Sequence, residues 1–377
     1  MRRIRMISAA VAVAIPLGAA VCGNVAVPSA KAQAITMSQT KAMSDPAKPN
    51  AAKPNARPGS APKPVVGVNL YVNKNYTLAE TKAWGARVMK YIVYTLKLKA
   101  VAIVWDYNVP NTYADVVRSS PTRTPTIADL AALTDIAKSY GLRVEYRVLF
   151  AINNKDSRST SIQPKHFREW LYWLLFTEIP ALRLAQEKHV SEFVVGTEMA
   201  SIDQSPLWGT FFDNAAKVYS GILSYASYGG RGIPGSGGFF SGRRVALPIH
   251  DFGASAYPSI ALSDDASVAS LTRAWKNFLT RGTSGSVLRS TAIDEIGIPM
   301  VADAYIDPWQ WDGITGPADP TIQARWFEAA CNAVTAEHMR GIYFWSMTLN
   351  NDPAHPYPSL VGFEGRPASE AAIRSCV

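Results

Sequence analysis

Two glutamates, each at the end of an apolar run, could carry chemistry in this chain: Glu198 in F-V-V-G-T-E-M and Glu295 in T-A-I-D-E-I-G-I. Paired carboxylates can protonate a leaving group, attack a carbon or activate water. Cleavage of a glycosidic bond is the reaction that needs two of them facing each other across a sugar. The two lie 97 residues apart. A barrel of eight strand-helix units spends about 31 residues on each unit, so three units separate them. That spacing assigns Glu198 to a fourth strand and Glu295 to a seventh. Side chains at the C-terminal ends of barrel strands share one mouth.

Other chemistries find little footing. A formal G-x-G-x-x-G stands at Gly230, Gly232 and Gly235. A dinucleotide fingerprint has to open a helix, whereas here S-G-G-F-F-S-G follows. No H-E-x-x-H, G-x-S-x-G or Walker loop is present, and the five histidines are scattered, so zinc and serine hydrolase readings have no support. No metal or organic cofactor is expected. Asp106, Asp251 and Asp294 are further acids near the expected mouth. Asp294 should point away from Glu295 if both sit in a regular strand. Arg147 alternates with Glu145, which reads as an internal ion pair, and His250 reads as a loop histidine.

The elements that must hold the pair follow from alternating apolar runs and helix-period segments, the pattern of a parallel sheet wrapped by helices. Eight strands are predicted: Val65–Leu70, Ala100–Trp105, Leu142–Leu149, Glu192–Thr197, Ile222–Ala226, Phe252–Tyr257, Thr291–Ile296 and Gly341–Trp345. The clearest helices are Phe167–Lys188, Val268–Leu279 and Thr321–His338. Thr126–Tyr140 starts on a threonine cap and stops at Gly141. Residues 229–244 read as a Gly-rich loop. The fold class is therefore α/β, a (β/α)₈ TIM barrel over residues 65–377.

Ten tryptophans divide by position. Trp84, Trp170, Trp173, Trp275 and Trp326 fall in helical stretches and are expected in the core. Trp105, Trp208, Trp309, Trp311 and Trp345 fall at strand ends or in the loops after them, where flat rings can stack on sugar faces. Trp309 and Trp311, in D-P-W-Q-W-D, fit either a sugar platform or a loop staple.

An ordered set of motifs resembles glycoside hydrolase family 113, the β-mannanase-like members of clan A of retaining glycosidases. The set runs G-V-N at the first strand, T-I-A-D-L and A-K-S-Y-G-L-R-V before the third, and F-V-V-G-T-E at the fourth. It continues with V-Y-S-G-I-L-S-Y-A at the fifth, D-F-G-A-S-A-Y-P at the sixth, D-E-I-G at the seventh and G-I-Y-F-W at the eighth. The resemblance implies that Glu198 is the general acid/base and Glu295 the nucleophile, that Tyr257 supports the nucleophile, and that Trp345 floors the subsite of the reacting sugar. Two departures bear on substrate. Thr197 stands where most clan members have asparagine, and the fifth strand reads Y-A-S-Y-G, with Ser227 and Tyr228, where Y-A-A-N-W is expected. The expected sugar contacts are accordingly Asn69, Trp105, Thr197, Tyr228, Tyr257, Trp309 and Trp345. The implied activity is hydrolysis of a polysaccharide, β-1,4-mannan or a related β-glycan, with retention. A different cell-wall glycan, or a silent barrel that only binds glycan, are the rivals.

Residues 1–34 read as an export signal: Arg2, Arg3 and Arg5, then an apolar stretch from Met6 to Val21, then small residues up to Ala34. Cys22 leaves open a lipoprotein alternative, against which Ala19-Ala20-Val21 is a poor lipobox. Residues 35–64, with A-K-P-N-A at 47–51 and 52–56, have no apolar periodicity and no aromatic residue, and read as a Pro/Lys/Ala-rich disordered linker. Residues 1–64 hold nine of the 38 basic residues and one of the 29 acids, so the net charge of +9 belongs almost wholly to this segment. The remainder is near neutral, which argues against nucleic acid as a partner. Cys331 and Cys376 are the only cysteines beyond Cys22. In an exported protein such a pair reads as one disulfide, with two free thiols as the alternative. A secreted or envelope-associated monomer without membrane insertion is expected, acting on a polysaccharide or oligosaccharide.

Overall fold

The computed structural model describes residues 63–73, 76–153, 159–229, 252–311 and 313–377. The expected signal, the expected linker up to residue 62, the glycine motif at 230–235, His250 and Asp251 lie outside the described residues. Eight parallel strands close into a barrel in sequence order: β1 (Val65–Tyr71), β2 (Ala100–Val109), β3 (Arg143–Ile152), β4 (Glu192–Thr197), β5 (Ile222–Gly229), β6 (Phe252–Ala256), β7 (Thr291–Ile296) and β8 (Gly341–Thr348). β8 returns to pair with β1, with Val65 opposite Gly341, so no sheet edge is left open.

Around the sheet run α1 (Leu78–Tyr94), α2 (Ile127–Ser139), α3 (Phe167–Glu187), α4 (Trp208–Ala215), α5 (Val268–Thr280), the short α6 (Gly285–Arg289), α7 (Pro320–Ala336) and α8 (Pro367–Ser375). The α2 boundaries follow from local chemistry. The Thr126 hydroxyl accepts from the Asp129 amide and Asp129 accepts from the Thr126 amide, a reciprocal cap. Past the other end, Gly141 takes a left-handed φ of 77°, where a side chain would be strained. Among the described residues, no helix is long and apolar enough to cross a membrane.

Strand alternation sorts the side chains into two layers. Val101, Ile103, Trp105, Tyr107 and Val109 face the helices and join the large outer core, while Ala100, Ala102 and Val104 face the lumen with Tyr343. Trp105 is fully buried among Tyr107, Tyr146 and Phe193. That corrects its expected role as a sugar contact: β2 runs four residues past the apolar stretch, and its phase turns Trp105 outward. Trp208 is likewise buried, on α4 against Trp170, Phe211 and Tyr225. Trp170, Trp275 and Trp326 are core residues as expected, whereas Trp173 is 38% exposed.

Cys331 on α7 and Cys376 at the end of α8 form a disulfide, with Cα atoms 5.2 Å apart. The bond ties the last helix to the one before it.

Candidate active site

Below the mouth, the lumen is polar. Arg147 of β3 is fully buried and donates to Glu145 at 2.5 Å, to Asn69 Oδ1 at 2.8 Å and to the Asp294 carbonyl, with the Asp294 carboxylate 3.3 Å away. Asn69 in turn donates to the Asp294 and Phe344 carbonyls at 3.0 and 3.4 Å. With no exposure and both ends of its amide engaged, Asn69 braces β1 against β7 and β8. It is not a sugar contact, and the expectation is corrected here.

The ladder loses regular register where the carboxylates sit. β4 and β5 shift between Val194 and Thr197. β6 and β7 shift between Ala254 and Ser255, and β7 and β8 between Ile293 and Ile296. Such irregularities let consecutive side chains share a face. Asp294 therefore enters the lumen toward Arg147 instead of pointing away, while Glu295 reaches the mouth. Gly253 makes room: a Cβ there would lie 1.5 Å from Asp294 Oδ2. Glu198 follows β4 with a left-handed φ of 56°, which is uncommon for a residue with a side chain. Its amide donates to the Ala226 carbonyl at 2.8 Å, and the next amide, of Met199, to the Tyr225 hydroxyl at 2.9 Å.

Glu295 is 7% exposed. Burial, followed by the charge of Glu198, pushes its carboxyl up to about 8, while Arg147 and the Tyr257 hydroxyl pull the other way. That hydroxyl donates to Glu295 Oε2 at 3.3 Å. Burial and the Glu295 charge in turn raise the Tyr257 phenol far above its usual range, so Tyr257 stays a donor. The charge of Glu198 thus adds to the cost of ionising Glu295 beside it.

Rings wall the mouth. Trp345, in the second half of β8 and followed by a cis peptide bond, lies 5.9 Å from the Tyr71 ring and 6.4 Å from that of Trp311. Trp311 also meets Tyr257 edge-on at 6.0 Å. Its indole donates to the Pro308 carbonyl at 3.1 Å, and it packs where a Cβ on Gly297 would stand 2.8 Å from the ring. Of the D-P-W-Q-W-D pair, Trp311 joins these rings, while Trp309 is half-buried in the same loop. Tyr228, half-buried, is on the lumen phase of β5 set by Ser224. Thr197 is 2% exposed with a hydroxyl that has no hydrogen-bond partner, and the Ser255 hydroxyl, opposite Glu295 in register, is equally unpartnered. Ser255 lies within the D-F-G-A-S-A-Y-P motif, which does not single it out, and Tyr71 carries no motif in the sequence.

For metal, the grouping with suitable spacing among the described residues is Asp115, His166 and Glu169. It lies on the exterior, and His166 Nδ1 is 2.7 Å from Asp115 Oδ2, an ordinary exposed ion pair.

A closed parallel barrel whose C-terminal mouth holds two carboxylates and a wall of aromatic rings has the build of a barrel glycosidase. The family model described as Glycoside Hydrolase Family 113 matches residues 73–356. The chain belongs to this family. Among solved structures it is similar to a GH113 β-1,4-mannanase, with TM-score 0.66 and 16% identity over 83% of this chain and 98% of that one. It is also similar to the GH113 β-mannanase AaManA from Alicyclobacillus acidocaldarius in complex with ManMIm, with TM-score 0.65 and 16% identity over 82% and 96%. A more distant likeness is to GH5_18 from Streptomyces cattleya in complex with GlcNAc, at TM-score 0.51 and 15% identity over 84% and 80%. No curated protein matches by sequence.

Proposed function

We propose that this glycoside hydrolase is exported and cleaves a β-1,4-mannan or a closely related β-glycan with retention of configuration. Glu198 protonates the leaving oxygen as Glu295 attacks the anomeric carbon, giving a glycosyl ester on Glu295. Glu198, now ionised, takes a proton from water, which attacks the same carbon and releases Glu295. Trp345 stacks on the reacting sugar, Tyr257 holds Glu295 in line, and Thr197, Tyr228 and Trp309 contact the substrate.

The observation that carries this reading is the environment of Glu295. It is a carboxylate at a strand end, raised first by burial and then by the charge of Glu198, with a tyrosine hydroxyl as its donor. The buried lumen acids Glu145 and Asp294, by contrast, each have the Arg147 guanidinium within 3.3 Å. The mannanase structures named above support the substrate class. The departures at Ser227 and Tyr228 leave a different envelope glycan as the second reading, because Tyr228 stands on the lumen phase of β5.

A polysaccharide panel assayed for new reducing ends, with Glu295→Ala as the blank, tests the activity. Glu198→Ala should keep the first step on an aryl glycoside with a good leaving group, show a burst, and be accelerated by azide to a product of retained configuration. If both variants keep parental rates, the catalytic pair lies elsewhere. For export, N-terminal sequencing of secreted protein should begin near Gln33 or Ile35, and a lipidated Cys22 would overturn that start.

A further inference from the structure

Beside Trp345, on the β1 and β2 side of the mouth, sits a carboxylate that the double displacement does not use. Asp106 is in the lumen phase of β2, two residues beyond Val104, and is 5% exposed. One of its oxygens, Oδ2, accepts from the Tyr71 hydroxyl at 2.5 Å and has Arg123 Nη1 at 4.0 Å. The other oxygen has no hydrogen bond among the described residues. The same Tyr71 packs its ring against Trp345, so Asp106 stands one side chain away from the expected floor of the reacting sugar.

Arg123 is held where it can act with Asp106. Its loop is tied to β2 by the Thr124 hydroxyl, which donates to the Asp106 carbonyl at 2.7 Å, and by the bridge between Asn108 and Arg118. The Arg123 side chain is 56% exposed and, among the described residues, has the 4.0 Å approach to Asp106 as its polar contact. An acceptor with a spare oxygen beside a cation with spare donors matches neighbouring sugar hydroxyls, each of which donates one hydrogen bond and accepts another.

Resting on the proposed mechanism, the position has a direction. Glu198 on β4 protonates the leaving group, and the sugar that becomes attached to Glu295 lies on Trp345. The side of the mouth formed by β1 and β2 then faces the part of the substrate that stays behind. We propose that Asp106 and Arg123 form a hydroxyl clamp for the uncharged sugar unit next to the reacting one on the glycone side. The clamp makes the enzyme prefer substrates with at least two glycone units.

The test compares substrates of different length. Wild type, Asp106→Asn and the exposed-site variant Arg123→Ala are assayed on an aryl monoglycoside, which ends at the reacting sugar. The same proteins are assayed on the oligosaccharide series of whichever glycan the panel identifies. Each variant should lose about 10- to 100-fold in kcat/KM on the longer substrates, the scale of a hydrogen bond to a charged group, and stay close to wild type on the monoglycoside. Equal losses on both would make Asp106 a prop for Tyr71 and Trp345 and overturn the clamp; so would no loss on either. A wild-type protein inert on every glycan would sink the site reading itself, whereas an active one with length-independent variants sinks the clamp alone.

Discussion

The base and the mouth of one lumen treat a glutamate in opposite ways. At the base, Glu192 opens β4 and is 1% exposed. It accepts from Arg340 through both carboxylate oxygens, from the Ser224 hydroxyl at 2.7 Å, and has Arg143 at 3.7 Å. Although burial opposes ionisation, these donors hold its carboxyl below the usual range. At the mouth, Glu295 is about as buried, yet it has one tyrosine hydroxyl at 3.3 Å and a second carboxylate for company, and its carboxyl rises. Burial alone therefore does not decide the state of a lumen acid. The number of donors aimed at it does, and a carboxylate left short of donors at the mouth is one that can exchange a proton or form a bond.

The largest expected contrast is in turnover. Glu295→Ala should lower kcat by more than about 10⁴-fold, beyond what loss of acid/base help alone costs, and leave the melting temperature unchanged or higher, because it removes a buried acid that repels its neighbour. Arg340→Met should do the reverse. It strands Glu192 without its main partner, at a cost of about 3 to 5 kcal/mol by urea unfolding, while kcat of the folded fraction stays within about twofold. If Arg340→Met abolished turnover in protein shown to be folded, base and mouth would not be separable. Trp345→Ala should cost about 10- to 100-fold in kcat/KM on glycans, with the fold retained, since a stacked ring face is lost at the reacting sugar.

Titration sharpens the same contrast at smaller scale. Because the folded carboxyl of Glu295 binds its proton more tightly than the unfolded one, its contribution to stability declines as pH rises from the ordinary glutamate range to about 8. Glu192, with a lowered carboxyl, stabilises above the ordinary glutamate range and stops doing so as pH falls through its folded value. Melting curves against pH should therefore show the alkaline decline softened in Glu295→Gln and the acid decline unchanged. In activity, kcat/KM should fall about tenfold per pH unit above about 8, as the pair loses the proton that protonates the leaving group. A flat profile up to pH 10 would remove that account.

Much of the barrel was legible because the outward-facing positions of its strands are apolar from their first residues, so every one was anticipated to within a residue at its N-terminal end. Four C-terminal ends were not: β2, β3, β5 and β8 run three or four residues beyond the expected stop. Polar residues occupy the lumen phase there, as with Asp106 and Asn108 beyond Trp105 in β2, and an apolar run stops before the strand does. The misplacements of Trp105 and Asn69 have that origin. One needed the phase of the strand, and the other needed the knowledge that its amide is consumed by β7 and β8. The direction of Asp294 was misread because simple alternation has no term for a register shift. Trp311 belongs to a loop with no periodic signal, so only its contact with Trp345 and Tyr257 separates it from Trp309.

The cavity lined by Lys63, Pro64, Val65, Lys99, Arg143, Cys376 and Val377 sits at the strand starts, the face away from Glu198 and Glu295. Residues 63–65 and 376–377 thus meet at one spot, behind the working surface. A short peptide joining the two ends would let the chain be reopened in an outer loop without rerouting any strand, and a bead or carrier fixed at Val377 would leave the mouth turned outward to a solid glycan.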